Sequence, residues 1–259
     1  MLLLFDVGNT NVTVGGYESG DKYLFTARLT SDRNRTGDEF AVLIESILRL
    51  HGFSLKDVDD GAISSVVPVV AQSLDRAFRQ LWHKRMMFVN TSMDLGLKIL
   101  TDAPELLGKD LIVDAVGAIS KYPKPILVFD LGTASTCSVI DAEGNYLGGM
   151  IAPGLGISVE ALGTKTAQLP FISLDTPAQL LGTNTKNCIR SGIMYGHAGM
   201  IDGFIDRYEE QLGQKATAVV TGGLAPIVVP LCRRKVILDD NLIFDGLRII
   251  YKRNKDRPR

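Results

Sequence analysis

Three short loops rich in small polar residues each follow an apolar run. They are Asp6-Val-Gly-Asn-Thr-Asn11, Asp130-Leu-Gly-Thr-Ala-Ser135 and Thr221-Gly-Gly-Leu-Ala225. A turn of such residues lets backbone N–H groups approach phosphate oxygens with no side chain in the way, and Thr and Asn add donors. A carboxylate at the head of the loop does not bind phosphate itself. It holds a cation that does, or orients water around one. One such loop is equally a plain turn, whereas two copies and a late Gly-Gly turn make phosphate loops suited to ATP. A further carboxylate, Asp110, stands in Gly108-Lys-Asp-Leu111 at the head of a helical segment, where Asp is common as a cap.

Other polar residues offer less. His51, His83 and His197 are scattered without metal-ligand spacing. The three cysteines, Cys137, Cys188 and Cys232, give neither a disulfide framework nor a CxxC metal site.

The elements that position these loops can be read from the apolar patterns. Leu2–Phe5 reads as a buried strand, Val12–Val14 and Phe25–Leu29 as further strands, and Gly61–Val67 as another ending at Pro68. Asp38–Leu50, Val69–Trp82 and Asp110–Lys121 read as helices. After a Pro-rich break at 122–125 the order starts again, with strands at Ile126–Phe129, Tyr146–Ile151 and Ala218–Thr221. Helices are predicted over Ile157–Thr166 and after Leu242, and over Thr185–Leu212 with breaks near Gly192 and Gly196.

Set side by side, LLLFDVGNTNVTVGG from Leu2 and ILVFDLGTASTCSVI from Ile126 match at Phe5/Phe129, Asp6/Asp130 and Gly8/Gly132. The offset is close to half the chain, which marks an internal duplication. The expected fold is α/β, two duplicated domains over 1–121 and 122–259 with a cleft between them.

The chain is 259 residues long, enough for a sizeable core without a disulfide or metal staple. Lys plus Arg is 28 against 29 for Asp plus Glu, so the basic excess of a nucleic-acid binder is missing; the basic run from Lys252 to Arg259 reads as a solvated terminus. No charge-free apolar stretch is long enough for a membrane span, and the first residues do not read as a signal peptide. A cytoplasmic protein is expected.

The motifs taken in order resemble one family nearly end to end. They are DVGNTN from Asp6, Thr36-Gly-Asp-Glu39, Ser64-Ser-Val-Val-Pro68, GKD from Gly108 and DLGTAST from Asp130. Further along the chain come GGMIAPGL from Gly148, Thr166-Ala-Gln-Leu-Pro170, Gly182-Thr-Asn-Thr185 with Ser191-Gly192, and TGGLA from Thr221. This set resembles the type III pantothenate kinases of the acetate and sugar kinase/Hsp70/actin superfamily, whose domains are ribonuclease-H-like, as in actin-like ATPases.

The resemblance implies transfer of the ATP γ-phosphoryl group to the primary hydroxyl of pantothenate, with Mg²⁺ accompanying ATP and K⁺ or NH₄⁺ as activator. It implies ATP binding by Asp6, Val7, Gly8, Asn9, Thr10, Asn11, Val12 and Thr13, and by Thr133, Gly222 and Gly223. Asp130 is implied as the monovalent-cation ligand and Asp6 in the water shell of Mg²⁺. Asp110 is implied as general base, and Gly108, Lys109, Asp110, Leu111 and Thr185 around pantothenate. A homodimer is also implied. The chain departs from the family at Leu111, where an Arg is usual, and near Thr101, where a Tyr is usual. Arg makes bidentate bonds to carboxylates and Leu makes none. Another small hydroxyl acceptor, or a non-catalytic accessory role on the same fold, is therefore kept as the rival reading.

Overall fold

The computed structural model describes residues 1–20, 22–175 and 179–256; the last three residues of the basic terminus lie outside them. The chain forms two compact units. The first comprises Met1–Gly96, Ala103–Gly117 and Leu242–Arg259, the second Leu97–Asp102 and Ala118–Asn241.

In the first unit β1 (Leu2–Val7), β2 (Asn11–Tyr17) and β3 (Tyr23–Thr30) form an antiparallel meander, followed by α1 (Gly37–Leu50), β4 (Asp60–Ser65), α2 (Pro68–Trp82) and β5 (Met87–Phe88). The sheet order is β3-β2-β1-β4-β5, with β4 and β5 parallel to β1. Leu3, Phe5 and Val7 share a core with Phe40, Ile44 and Leu48 of α1 and Val70, Leu74 and Phe78 of α2. Each such side chain contributes roughly 1.5–3 kcal/mol when fully buried. Thr36-Gly-Asp-Glu39 is a capping box: the Glu39 N–H donates to Thr36 Oγ1 (3.3 Å) and the Thr36 N–H to Glu39 Oε2 (2.8 Å).

From Ala118, within α3 (Lys109–Lys121), the second unit repeats the plan. β6 (Ile126–Leu131), β7 (Ala134–Ile140) and β8 (Tyr146–Pro153) form the meander; α4 (Leu155–Lys165), α5 (Thr185–Leu212), β9 (Thr217–Thr221), α6 (Ala225–Val228) and β10 (Ile237–Leu238) come after it. The order β8-β7-β6-β9-β10 mirrors that of the first sheet. β1 and β6 even share one burial pattern along their length. Leu127, Phe129 and Leu131 pack with Leu155 of α4 and with Ile193, Met194, Ile201 and Ile205 of α5.

Two sequence expectations need correction. α5 runs unbroken through Gly192 and Gly196. Each glycine costs about 1 kcal/mol in a helix, but the buried Ile193, Met194, Ile201 and Ile205 hold the helix on its sheet. The single cut at 121/122 also differs from the contacts, because α7 (Leu242–Asn254) belongs to the first unit. It packs on β1 and β4, and the Phe244 ring lies where a Cβ on Gly15 would stand, 3.0 Å away. The otherwise open face of β1, with Leu2 and Leu4, is thereby buried. Tyr23 Oη donates to Asp245 Oδ1 (2.7 Å), Tyr251 Oη to Asp60 Oδ2 (2.8 Å) and Lys252 Nζ to Tyr17 Oη (3.0 Å), pinning the helix.

Candidate functional site

Asp6 lies at the end of β1, half-buried, with Thr13 of β2 and Ser64 of β4 directly opposite in register. Asp130 occupies the same place on β6, opposite Thr136 of β7 and Thr221 of β9. Residues directly opposite across a ladder project to the same face, so each carboxylate has a hydroxyl residue on either side. Ser64 Oγ and Thr136 Oγ1 are buried and have no hydrogen-bond partner among the described residues. A buried hydroxyl left without a partner costs roughly 1–3 kcal/mol, which a polar ligand or its water shell at these strand ends would recover.

In the first unit the loop after β1 closes by the Gly8 N–H donating to the Asn11 carbonyl (2.9 Å), and the Ser31 N–H donates to the Thr10 carbonyl (2.9 Å). Of the predicted phosphate-loop residues, Asp6 and Val7 end β1, Gly8, Asn9 and Thr10 form the turn, and Asn11, Val12 and Thr13 begin β2. In the second unit the Gly132 N–H donates to the Ala134 carbonyl (3.1 Å). Gly222 has φ +98°, and a Cβ on it would collide with Asp130 Oδ1 and stand 2.7 Å from Leu131 main-chain atoms. Only glycine combines that φ with that approach. Gly222 is thereby folded directly onto Asp130 in the second unit, with Gly223 next to it in the chain and Thr133 in the turn between β6 and β7.

Asp110 stands in the first turn of α3. Its Oδ1 accepts the Leu111 N–H (2.8 Å), and a Cβ on Gly108 would lie 2.5 Å from that oxygen. The Gly-x-Asp spacing is explained by this fold-back of the carboxylate over Gly108. Burial pushes the Asp110 pKa up, opposed by the backbone N–H groups of Leu111 and Asp110 and by the charge of Lys109. Lys109 Nζ donates to the carbonyls of Leu107 (3.0 Å) and Glu105 (3.3 Å). Leu111 is half-buried. Thr185 is exposed on the first turn of α5 in the second unit, just after the cap Asn184, whose Oδ1 accepts the Asn187 N–H (3.0 Å).

Cys137 and His51 are structural. Cys137 is buried in β7, which pushes its thiol pKa far up, and the His51 ring stacks on Phe25 at 4.7 Å. No group of three or more His, Cys, Asp or Glu among the described residues is placed to hold a metal ion. The donor set still fits Mg²⁺ carried by a nucleotide, since that ion takes most of its ligands from phosphates and water and needs only one or two carboxylates. The hydroxyl residues beside the two aspartates all stand in the motifs or the duplicated stretches, but their placement opposite Asp6 and Asp130 comes from strand register.

The folding of two matching sheets, each ending in an Asp-headed loop, is that of the duplicated actin-like class. The activator of the 2-hydroxyisocaproyl-CoA dehydratase from Clostridium difficile, solved with bound ADPNP, aligns with 100% of this chain and 98% of its own at TM-score 0.53 and 11% identity. The family model described as type III pantothenate kinase matches residues 2–207. A type III pantothenate kinase of Syntrophotalea carbinolica is 39% identical over 255 residues, 98% of this chain and 100% of that one. One from Solibacter usitatus is 40% identical over 254 residues, 98% of this chain and 97% of that one. The chain belongs to the type III pantothenate kinase family.

Proposed function

We propose that this protein transfers the γ-phosphoryl group of ATP to the primary hydroxyl of pantothenate, the first step of coenzyme A biosynthesis. The family assignment and the two Asp-headed loops support a phosphotransferase. The observation that carries the chemistry is Asp110, a carboxylate held in place over Gly108 and made a stronger base by burial. A general base works best as its pKa rises towards the working pH.

In this reading the hydroxyl oxygen attacks the γ-phosphorus, the bond to the β-phosphate oxygen breaks, ADP leaves, and Asp110 takes the hydroxyl proton. Phosphoryl transfer depends on positioning and charge neutralisation rather than covalent catalysis. Backbone N–H groups and side chains of Asp6–Thr13, with Thr133, Gly222 and Gly223, bind the nucleotide. Asp6 orients the water shell of Mg²⁺, which supplies charge neutralisation on the phosphates. Asp130 holds K⁺ or NH₄⁺. Gly108, Lys109, Leu111 and Thr185 surround the acceptor.

A homodimer belongs to this reading. Gly192, Gly196, Gly199 and Gly203 lie three or four residues apart on α5, and a Cβ on the first three would meet nothing within 4 Å. One face of α5 is thus flat and uncovered by its own unit, as close helix pairing requires. A cytoplasmic setting fits the three cysteines, all unpaired. Among the described residues no helix is long and apolar enough to cross a membrane.

The deciding experiment is an ATP-to-ADP coupled assay with pantothenate, with and without K⁺ or NH₄⁺, on the wild type and Asp110→Asn. Turnover should require pantothenate and the monovalent cation, and should fall about 10²–10⁴-fold in the variant. ATP binding without pantothenate-dependent turnover would overturn this reading in favour of another hydroxyl acceptor or a non-catalytic role. Leu111 is the observation that favours a changed acceptor site, because its side chain offers no donor to a carboxylate. Leu111→Arg is expected to lower the KM for pantothenate about fivefold with kcat nearly constant, read in the same assay.

A further inference from the structure

The second unit holds a buried histidine that none of these roles uses. His197 lies on α5 and is 8% exposed. Its Nδ1 is 2.7 Å from the carbonyl oxygen of Ile193, and its Nε2 is 3.1 Å from that of Pro153. Both neighbours are acceptors, and a neutral imidazole carries one N–H, which serves the Pro153 carbonyl when it sits on Nε2 and the Ile193 carbonyl when it sits on Nδ1. Ile193 is on the same helix, one turn back. Pro153 is on another element, the last residue of β8, where it pairs in register with Ala134.

The next residue, Gly154, lies against the loop after β6. A Cβ on Gly154 would stand 2.7 Å from the Gly132 carbonyl oxygen and would collide with that of Thr133. In a trans peptide the C=O and the following N–H point in opposite directions. Carbonyls of Gly132 and Thr133 turned towards Gly154 therefore direct the N–H groups of Thr133 and Ala134 away from it. The Pro153–Gly154 segment is a wall behind this loop, and the imidazole reaches the wall from α5.

We propose that His197 is a positioning residue for nucleotide binding. By holding the Pro153 carbonyl it keeps the Pro153–Gly154 wall against Gly132 and Thr133, and so keeps the N–H groups of that loop aimed at phosphate oxygens. This rests on the reading of Thr133 as a nucleotide contact, but not on the identity of the acceptor.

The test is equilibrium binding of a non-hydrolysable ATP analogue with Mg²⁺ to the wild type, His197→Phe, His197→Gln, Gly154→Ala and the His197→Phe/Gly154→Ala double variant. The KM for pantothenate is measured in parallel. His197→Phe keeps ring volume and removes the ring N–H, and should weaken the analogue about tenfold while changing the KM for pantothenate less than twofold. His197→Gln restores one amide donor and should bind within threefold of the wild type. Gly154→Ala moves the wall directly and should reproduce the nucleotide defect. The double variant should be little worse than the weaker single, because both act through one segment.

Wild-type affinity in His197→Phe, an equal loss for both substrates, a Gln variant as poor as Phe, or additive losses in the double variant would each overturn the proposal. Should His197→Phe fail to fold, His197→Gln and Gly154→Ala still decide it. A wild type that binds the analogue but ignores pantothenate sinks the acceptor assignment while the affinities still judge His197. A wild type that does not bind the analogue overturns both.

Discussion

The loop after β1 closes over residues 8–11, Gly8 N–H on the Asn11 carbonyl, whereas the loop after β6 closes over 132–134, Gly132 N–H on the Ala134 carbonyl. Their aspartates occupy equivalent register positions between hydroxyl residues. The two units differ at the end of the neighbouring parallel strand. In the first unit Ser65 stands there; its Oγ accepts the Val67 N–H (3.0 Å), and the Val66 N–H donates to the Val7 carbonyl (3.1 Å). In the second it is Gly222, folded directly onto Asp130. Strand register preserves the frame of the duplication, because a slip would turn apolar side chains out of the core. The segment that closes over each aspartate is under no such constraint, and there the two copies have diverged: one keeps side chains, the other excludes them.

The largest effect should therefore separate Gly222 from Ser65. Gly222→Ala forces a positive φ on a side-chain residue and drives Cβ into Asp130. It should cost about 2–4 kcal/mol in stability and weaken ATP binding more than 100-fold. Ser65→Ala should cost only about 1 kcal/mol, the loss of one hydrogen bond. Equal effects, read by thermal unfolding and nucleotide titration, would erase the distinction.

A smaller, more selective contrast concerns the two carboxylates. Asp130→Asn should abolish activation by K⁺ or NH₄⁺, a change of about tenfold in kcat/KM, while Asp6→Asn should leave the ratio of rates with and without the cation unaltered and raise the Mg²⁺ requirement. Steady-state assays over a cation series decide between them.

The smallest effect is on acid stability. In the second unit Glu209 accepts from Lys215 Nζ (2.7 Å), Arg234 Nη2 (2.7 Å) and the Ala216 N–H (3.2 Å). Against the opposing pull of burial, these partners hold its pKa at about 2. A carboxyl depressed on folding stabilises the protein above its unfolded pKa, near 4.5, and loses that contribution as pH falls towards 2. Asp110 in the first unit is shifted the other way, so acid does not remove stability through it. Glu209→Gln should lower stability by about 1–2 kcal/mol at pH 7 and flatten the decline between pH 4.5 and 2, as followed by denaturant unfolding across pH.

Much of this arrangement is legible along the chain. Apolar runs ending in Asp-x-Gly locate β1 and β6, and their repetition announces two matching sheets. Local patterns say less about long-range partners. The apolar positions of α7 mark a helix, but nothing near them in sequence says that it covers β1. Ser64 and Thr136 stand in sequence motifs, but their position opposite Asp6 and Asp130 emerges only from pairing across strands. The glycines in α5 read as breaks because helix propensity is local, while the core holding that helix is not. The wall at Gly154 likewise has no sequence signature beyond a small residue after Pro153.

The placement of α7 has a consequence for biosynthesis. The ribosome delivers the chain at roughly 5–20 residues per second, and every strand of the second unit is made before Leu242 appears. Until then Leu2 and Leu4 of β1 lack their cover, and so does Gly117 of α3, which lies against the Leu242 main chain in the finished protein. The first unit, begun first, is completed last. A nascent chain halted before Leu242 would show an apolar sheet face, and its recognition by chaperones or proteases should end once α7 has cleared the exit tunnel.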